Sequence, residues 1–229
     1  MIAGMSTNNT QAVFDATAAT YDQDRMRLIP GHEGFYRATL ELIPAAAKRI
    51  VDLGAGSGLF SVMLAEAFPH AELHLIDFSA PMLELARKRL GESPRIHYHL
   101  ADYTATELPV ACDAVASSLS IHHLEHERKQ SMLHIVVRAL RNHGVFVNAD
   151  HIAGPSPELE AIYQERWLAD VRRLGATEQQ ISDSLYRQQE DRRAPVDVQL
   201  AWMRAAGFVD VDCWYKASSF AVMTGRAIR

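Results

Sequence analysis

The segment Val51-Asp52-Leu53-Gly54-Ala55-Gly56-Ser57-Gly58 sets glycines at alternate positions directly after a short apolar run that carries a carboxylate. Glycine has no Cβ, so such a loop can turn sharply and lie close against a ligand. A dinucleotide loop is spaced G-x-G-x-x-G, with its last glycine beside the helix start that holds a pyrophosphate. The spacing here is G-x-G-x-G, which speaks against a nicotinamide dinucleotide, and Asp52 stands just ahead of it. A carboxylate in that place suits a ligand bearing an amine or sulfonium cation. S-adenosylmethionine answers that description.

Strands and helices must position this loop. Ile50, Val51 and Leu53 read as a buried strand, and Leu59 to Phe68 places Phe60, Met63, Leu64 and Phe68 on one helical face. The loop therefore joins a strand to a helix, at the sheet edge where open α/β folds bind ligands. A second strand is expected over Glu72–Asp77, then a helix opened by Ser79 and Pro81 with Met82, Leu83, Ala86 and Leu90 on one face. Further strands are expected over Arg95–Asp102, Asp113–Ile121 and Val145–Ala149, with a helix through Leu133 and Val136 closed by Asn142-His143-Gly144. Such alternation implies a parallel sheet covered on both faces. Phe208–Tyr215 and Ser219–Gly225 are joined too tightly for a parallel crossover, so they should form an antiparallel hairpin at one edge. Between them and the fifth strand lie helical stretches at Glu158–Leu174, Thr177–Asp191 and Val196–Ala206. The last is the crossover, and the first two form an inserted pair that either caps the site or decorates the surface.

Composition bounds the class. A chain of 229 residues with 48% hydrophobic content holds one α/β domain with an elaboration. We divide it into an N-terminal cap (1–49), a cofactor-binding core (50–151), a helical insertion (155–193) and a last helix with its hairpin (194–229). The net charge of −5 gives no basic field for a nucleic acid. Small molecules are the expected partners, with the protein a monomer or homodimer. Cys112 and Cys213 fall in apolar strand-like segments and imply no disulfide scaffold, and Met1–Thr20 lacks the basic start and apolar block of a secretory signal. No segment approaches a membrane span, and a cytoplasmic location is expected.

From Phe14 to Gly225 the chain resembles the class I S-adenosylmethionine-dependent methyltransferases of small molecules. The resemblance rests on the Asp52–Gly58 loop, Asp77 ending the second strand, Ala101-Asp102 ending the third, Ser117–Leu124 around the fourth, and the terminal hairpin. It implies a Rossmann-like, doubly wound α/β fold: a seven-stranded sheet, mostly parallel, with N-terminal helices and the helical insertion before the last two strands. It also implies S-adenosylmethionine as cofactor and S-adenosylhomocysteine as product. By the same resemblance Asp77 accepts from the ribose hydroxyls, Phe78 lies near the adenine with Met82 close by, and Asp102 accepts from the adenine amine with Ala101 and Tyr103 beside it. Asp52, Gly54, Ala55, Gly56 and the backbone near Ser118 approach the methionyl part. The segment Phe14-Asp15-x-x-Ala18-x-x-Tyr21-Asp22-x-x-Arg25 resembles the family's leading helix, and Tyr21 and Arg25 could face the methionine carboxylate. Leu28 to Tyr36 is locally similar to carboxy-S-adenosylmethionine synthase, a non-methylating relative that supplies the alternative reading.

Methyl transfer from a sulfonium is an in-line displacement, so alignment and exclusion of water matter most. A histidine base still helps an amine, phenol or acidic carbon react. His122 and His123, just past the fourth strand where related enzymes seat the acceptor, are the catalytic candidates. His32, Tyr36, Asp150, His151, Arg166 and Trp167 are further candidates to line the acceptor pocket. No H-x-x-x-H spacing lies within an expected helix, no C-x-x-C cluster occurs, and adjacent His122 and His123 would point apart on a helix or a strand, so no metal is expected.

Overall fold

A computed structural model describes residues 27–228. The leading segment with Tyr21 and Arg25 lies outside the described residues. Strands β1 (Arg49–Leu53), β2 (Glu72–Asp77), β3 (Ile96–Leu100), β4 (Cys112–Ser118), β5 (Leu140–His151), β6 (Phe208–Ala217) and β7 (Phe220–Ala227) form one seven-stranded sheet in the order β3-β2-β1-β4-β5-β7-β6. β7 runs antiparallel to both β5 and β6, while the remaining neighbours pair in parallel. The strand order reverses between β1 and β4, which is where open α/β sheets leave a crevice.

Two hydrophobic cores follow from the strand period of two, because successive residues of a strand face opposite sides of the sheet. Ile50, Leu75, Ala114, Val147 and Val222 face α1 (His32–Glu41), α2 (Leu59–Ala67), α5 (Pro157–Arg173) and α6 (Glu178–Gln188), through residues such as Phe35, Phe60, Trp167 and Ile181. Their neighbours Val51, Ile76, Val115, Phe146 and Met223 face α4 (His126–Ala139) and α7 (Val196–Ala205) through Met132, Val136 and Met203. Between β2 and β3 runs α3 (Ala80–Leu90), opened as expected by the Ser79 side chain and a proline in the first turn.

Two of the differences from the sequence expectation change the path of the chain. β4 ends at Ser118 rather than Ile121: Leu119 takes a φ of 53°, and Ile121–His123 winds into a 3-10 turn. Asn142-His143-Gly144 does not close a helix, because α4 ends at Ala139 and β5 begins at once. The extra residues are absorbed as a register shift, Cys112 pairing with Leu140 but Ala114 with Val145.

Candidate active site

The glycine loop leaves β1 with Gly54, Gly56 and Gly58 at φ of 69°, 55° and 82°, the left-handed region that side chains disfavour. The amides of Gly54 and Ala55 donate to the Ile76 carbonyl at 2.8 and 3.1 Å, which ties the loop to β2. A Cβ on Gly54 would lie 1.8 Å from Ser120 Oγ, whereas one on Gly56 would meet nothing within 4 Å. Gly54 thus makes room for the turn after β4, and Gly56 faces open space.

Asp77 is buried, and its carboxylate receives the Gly56 amide on Oδ2 and the Ser79 amide on Oδ1, both at 2.8 Å. A carboxylate oxygen has two lone pairs and can accept from more than one donor, which is the chemistry a ribose hydroxyl needs. Phe78 is half-buried beside it, and Met82 is buried in the first turn of α3, its amide donating to Ser79 Oγ. Asp52 is buried and accepts from the Ser61 hydroxyl at 2.5 Å, which anchors α2 to β1. Asp102, after half-buried Ala101, receives the Thr104 amide and hydroxyl and pairs with Arg128 Nη2 at 2.5 Å. Burial opposes ionisation of Asp102, but Thr104 and Arg128 outweigh it and hold the carboxyl below its usual range. Tyr103 is buried with its hydroxyl 3.0 Å from Ser120 Oγ, and burial pushes its phenol upward. Ser118 is buried at the end of β4, and Ser117 Oγ donates to the Leu53 carbonyl.

The 3-10 turn changes what the histidine pair can do. On a helix or strand adjacent rings diverge; here the ring centroids of His122 and His123 are 3.9 Å apart and both rings face Asp191. His122 Nδ1 lies 2.6 Å from Asp150 Oδ1, and its Nε2 is 3.6 Å from Asp191 Oδ1. His123 Nδ1 lies 3.1 Å from the same Asp191 oxygen, and His151 Nδ1 is 3.3 Å from the other. Asp191 is fixed through the residue that follows it. The Arg192 amide donates to the His122 carbonyl, and Lys129 Nζ donates to the Arg192 carbonyl.

Charge sorts these rings. Burial alone would lower His122, yet Asp191 and Asp150 outweigh it and raise the imidazole above its ordinary 6.5. His123 is lowered by burial and by the neighbouring His122, and His151 chiefly by burial. Burial works against the Asp191 carboxylate, but the facing imidazoles hold it far below the usual range. His122 Nε2, His123 Nδ1 and Asp191 Oδ1 lie within 4.8 Å of one another, a spacing that divergent rings would have forbidden. The Asp191 carboxylate thus faces three imidazoles at once, hydrogen-bonded to His151 and in ion-pair contact with His122 and His123.

These groups form one wall of a cavity that opens to solvent. Leu28, Ile29, Leu119, Trp167 and Phe220 supply apolar walls, and Ser184, Arg187 and Gln188 of α6 supply polar ones. The inserted pair α5–α6 therefore walls the cavity instead of decorating the surface. Of the other expected lining residues, Trp167 and His151 belong to it, with Asp150 behind His122. His32, Tyr36 and Arg166 do not line it: Tyr36 stacks on Phe60 and Arg166 is exposed. Asp191 went unnoticed in the sequence because Glu190-Asp191-Arg192-Arg193 reads as a solvated charge run.

A family model described as a methyltransferase domain matches residues 50–144. A demethylmenaquinone methyltransferase of Clavibacter sepedonicus is 37% identical over 87 residues, which are 37% of this chain and 35% of that protein. A malonyl-[acyl-carrier protein] O-methyltransferase of Anoxybacillus flavithermus is 32% identical over 84 residues, 37% of this chain and 31% of its own length. The chain thus matches about a third of the length of these curated relatives. Among solved structures, the S-adenosylmethionine-dependent methyltransferase SibL in its apo form superposes with a TM-score of 0.63 at 22% identity, over 88% of this chain and 60% of that one. Residues 50–144 match a methyltransferase domain, and the chain has the fold of the class I S-adenosylmethionine-dependent methyltransferases.

Proposed function

We propose that this protein transfers a methyl group from S-adenosylmethionine to a small-molecule acceptor held in the cavity beside His122 and His123. The observation that carries the reading is the adjacency of two half-sites. The glycine loop with Asp77 and Asp102 offers the acceptors and open backbone that a nucleoside needs, and Ser120 links it directly to the turn bearing the histidines. The cofactor is held by Asp77 and Asp102 through hydrogen bonds, with Phe78, Met82 and Tyr103 about the adenine and Gly54, Ala55, Gly56 and Ser118 about the methionyl part. Tyr21 and Arg25 complete that set from the leading segment.

The two histidines take different parts. His122, drawn toward its charged form by two carboxylates, keeps Asp191 in place. His123 stays neutral at neutral pH and accepts the proton released as the acceptor attacks the methyl carbon. The apolar walls exclude water from the sulfonium. Free Cys112 and Cys213 fit a reducing cytoplasm, and among the described residues no helix is long and apolar enough to cross a membrane.

The direct test is formation of S-adenosylhomocysteine from S-adenosylmethionine across a panel of phenols, carboxylic acids, amines and activated carbons. Turnover with at least one acceptor class is expected, and His123→Gln should lower kcat about 100-fold or more. Failure of calorimetry to detect binding of either cofactor form would refute the proposal.

A further inference from the structure

We propose that Glu72, His74 and His97 bind a divalent cation of the zinc type on one face of the β2–β3 pair. Glu72 begins the strand that Asp77 ends, so this site stands at the other end of β2 from the cofactor half-site.

The parallel register sets His74 opposite His97 and Ile76 opposite His99. Because a strand repeats every two residues, Glu72 and His74 share a face, and His97 and His99 share that same face on the neighbouring strand. The His74 ring stacks on His97 at 4.7 Å and on His99 at 5.2 Å. His74 Nε2 lies 3.4 Å from Glu72 Oε1, and His97 Nε2 lies 3.0 Å from that same oxygen. Both ring nitrogens are buried, yet neither makes a hydrogen bond with a described residue. They are near enough to the carboxylate but are not aimed to donate to it.

A common centre explains that arrangement. Ligand atoms held at about 2.0–2.2 Å in a tetrahedron stand roughly 3.3–3.5 Å apart, close to the spacings seen, and all the ligand atoms lie within 4.8 Å of one another. An outer set of partners is already built. His74 Nδ1 is 3.0 Å from His99 Nε2, and with the proton on His74 Nδ1 the lone pair of Nε2 points to the shared centre. The second Glu72 oxygen accepts from Arg49 Nε at 2.9 Å, and Arg49 Nη1 donates to the Val110 carbonyl, so the carboxylate cannot rotate away. Arg49 is partly solvated, which screens its charge from the cation. His74 is buried, whereas the side chains of His97 and Glu72 are 37% and 34% exposed. That open flank admits the ion and a water as fourth ligand. The site clamps the edge strand β3 to β2. It was hidden in the sequence because its ligands come from two strands and form neither a helical pair nor a cysteine motif.

The test is titration of chelator-treated full-length protein with Zn²⁺ by calorimetry, and with Co²⁺ by visible absorption. One equivalent per chain is expected, with the absorption of tetrahedral cobalt. His97→Ala should abolish both signals, and Glu72→Gln should do the same. His99→Ala, which removes only an outer partner, should weaken Zn²⁺ binding about tenfold. His123→Ala, in the cavity cluster, should leave the stoichiometry unchanged. Undiminished binding in His97→Ala, loss of binding in His123→Ala alone, or no binding by the wild type would each overturn the site. S-adenosylmethionine affinity measured on the same His97→Ala protein separates this result from that of the proposed activity.

Discussion

His122 is buried between Asp150 and Asp191, which makes its protonation a stability term with a definite sign. Its pKa is raised in the folded protein, so the stabilisation is fully present below the ordinary value of 6.5 and is lost as pH rises through the folded value. His122→Gln should therefore cost most in mildly acidic buffer, about 3 kcal/mol or more because two buried carboxylates lose their partner. The gap from wild type should narrow as the buffer becomes alkaline. Urea unfolding at a series of pH values reads this directly, and a gap that does not change with pH would reject the ion-paired state. Asp77 sets a second test. Asp77→Ala should weaken S-adenosylmethionine binding by about 1–3 kcal/mol through lost hydrogen bonds; calorimetry showing full affinity would remove Asp77 from the site. Both His122 and Asp77 were candidates from residue type and place in the chain. Asp191 was not, because its importance comes from burial, and a carboxylate in a charge run carries no local sign that it will be buried.

At the scale of elements, the glycine loop and the turn after β4 are one packed unit. Gly54→Ala would force a Cβ to within 1.8 Å of Ser120 Oγ while also straining a φ of 69°. Gly56→Ala carries only the conformational penalty, about 1–2 kcal/mol, since nothing lies within 4 Å. Gly54→Ala should thus be the more destabilising by a further 1–3 kcal/mol or so, the usual cost of overpacking, and urea midpoints in the opposite order would contradict the packing described. The loop itself was legible as alternating glycines between an apolar run and a helix. Its dependence on Ser120 was not, because that contact joins segments far apart in the chain. The turn after β4 was misread for a related reason: Ser117 to Ile121 is small and apolar enough to continue a strand, and only the left-handed Leu119 redirects it. That redirection brings His122 and His123 to one carboxylate; the expectation of diverging rings held for a regular helix or strand, and the 3-10 turn is neither.

The molecule as a whole divides its labour along the chain. Residues 50–144, the stretch that matches a methyltransferase domain, hold the glycine loop, Asp77, Asp102 and the histidine pair. Most other walls of the cavity come from outside that range: Leu28 and Ile29 before it, and Trp167, Ser184, Asp191 and Phe220 after it. Alternating strand and helix patterns made the sheet legible, because each strand must bury one or both faces. Which side the insertion would cover was not legible, since its exposed faces are charge-rich and only a few residues, Trp167, Val171 and Ile181, commit it to the core. Trp167 Nε1 donates to the Leu28 carbonyl at 2.9 Å and so joins the two outer segments across the cavity. Cofactor binding and acceptor choice should consequently separate. S-adenosylmethionine at about 100 times its Kd adds roughly 2.7 kcal/mol to the folded state, which for a chain of this size raises Tm by about 5–10 °C. Trp167→Phe should lower the starting Tm through loss of that hydrogen bond and alter the rates across an acceptor panel, while the rise produced by the cofactor stays the same. Thermal unfolding with and without the cofactor, run beside the acceptor panel, checks this. If the substitution abolished the cofactor-induced rise and left the acceptor profile untouched, the assignment of Trp167 to the acceptor side would be wrong.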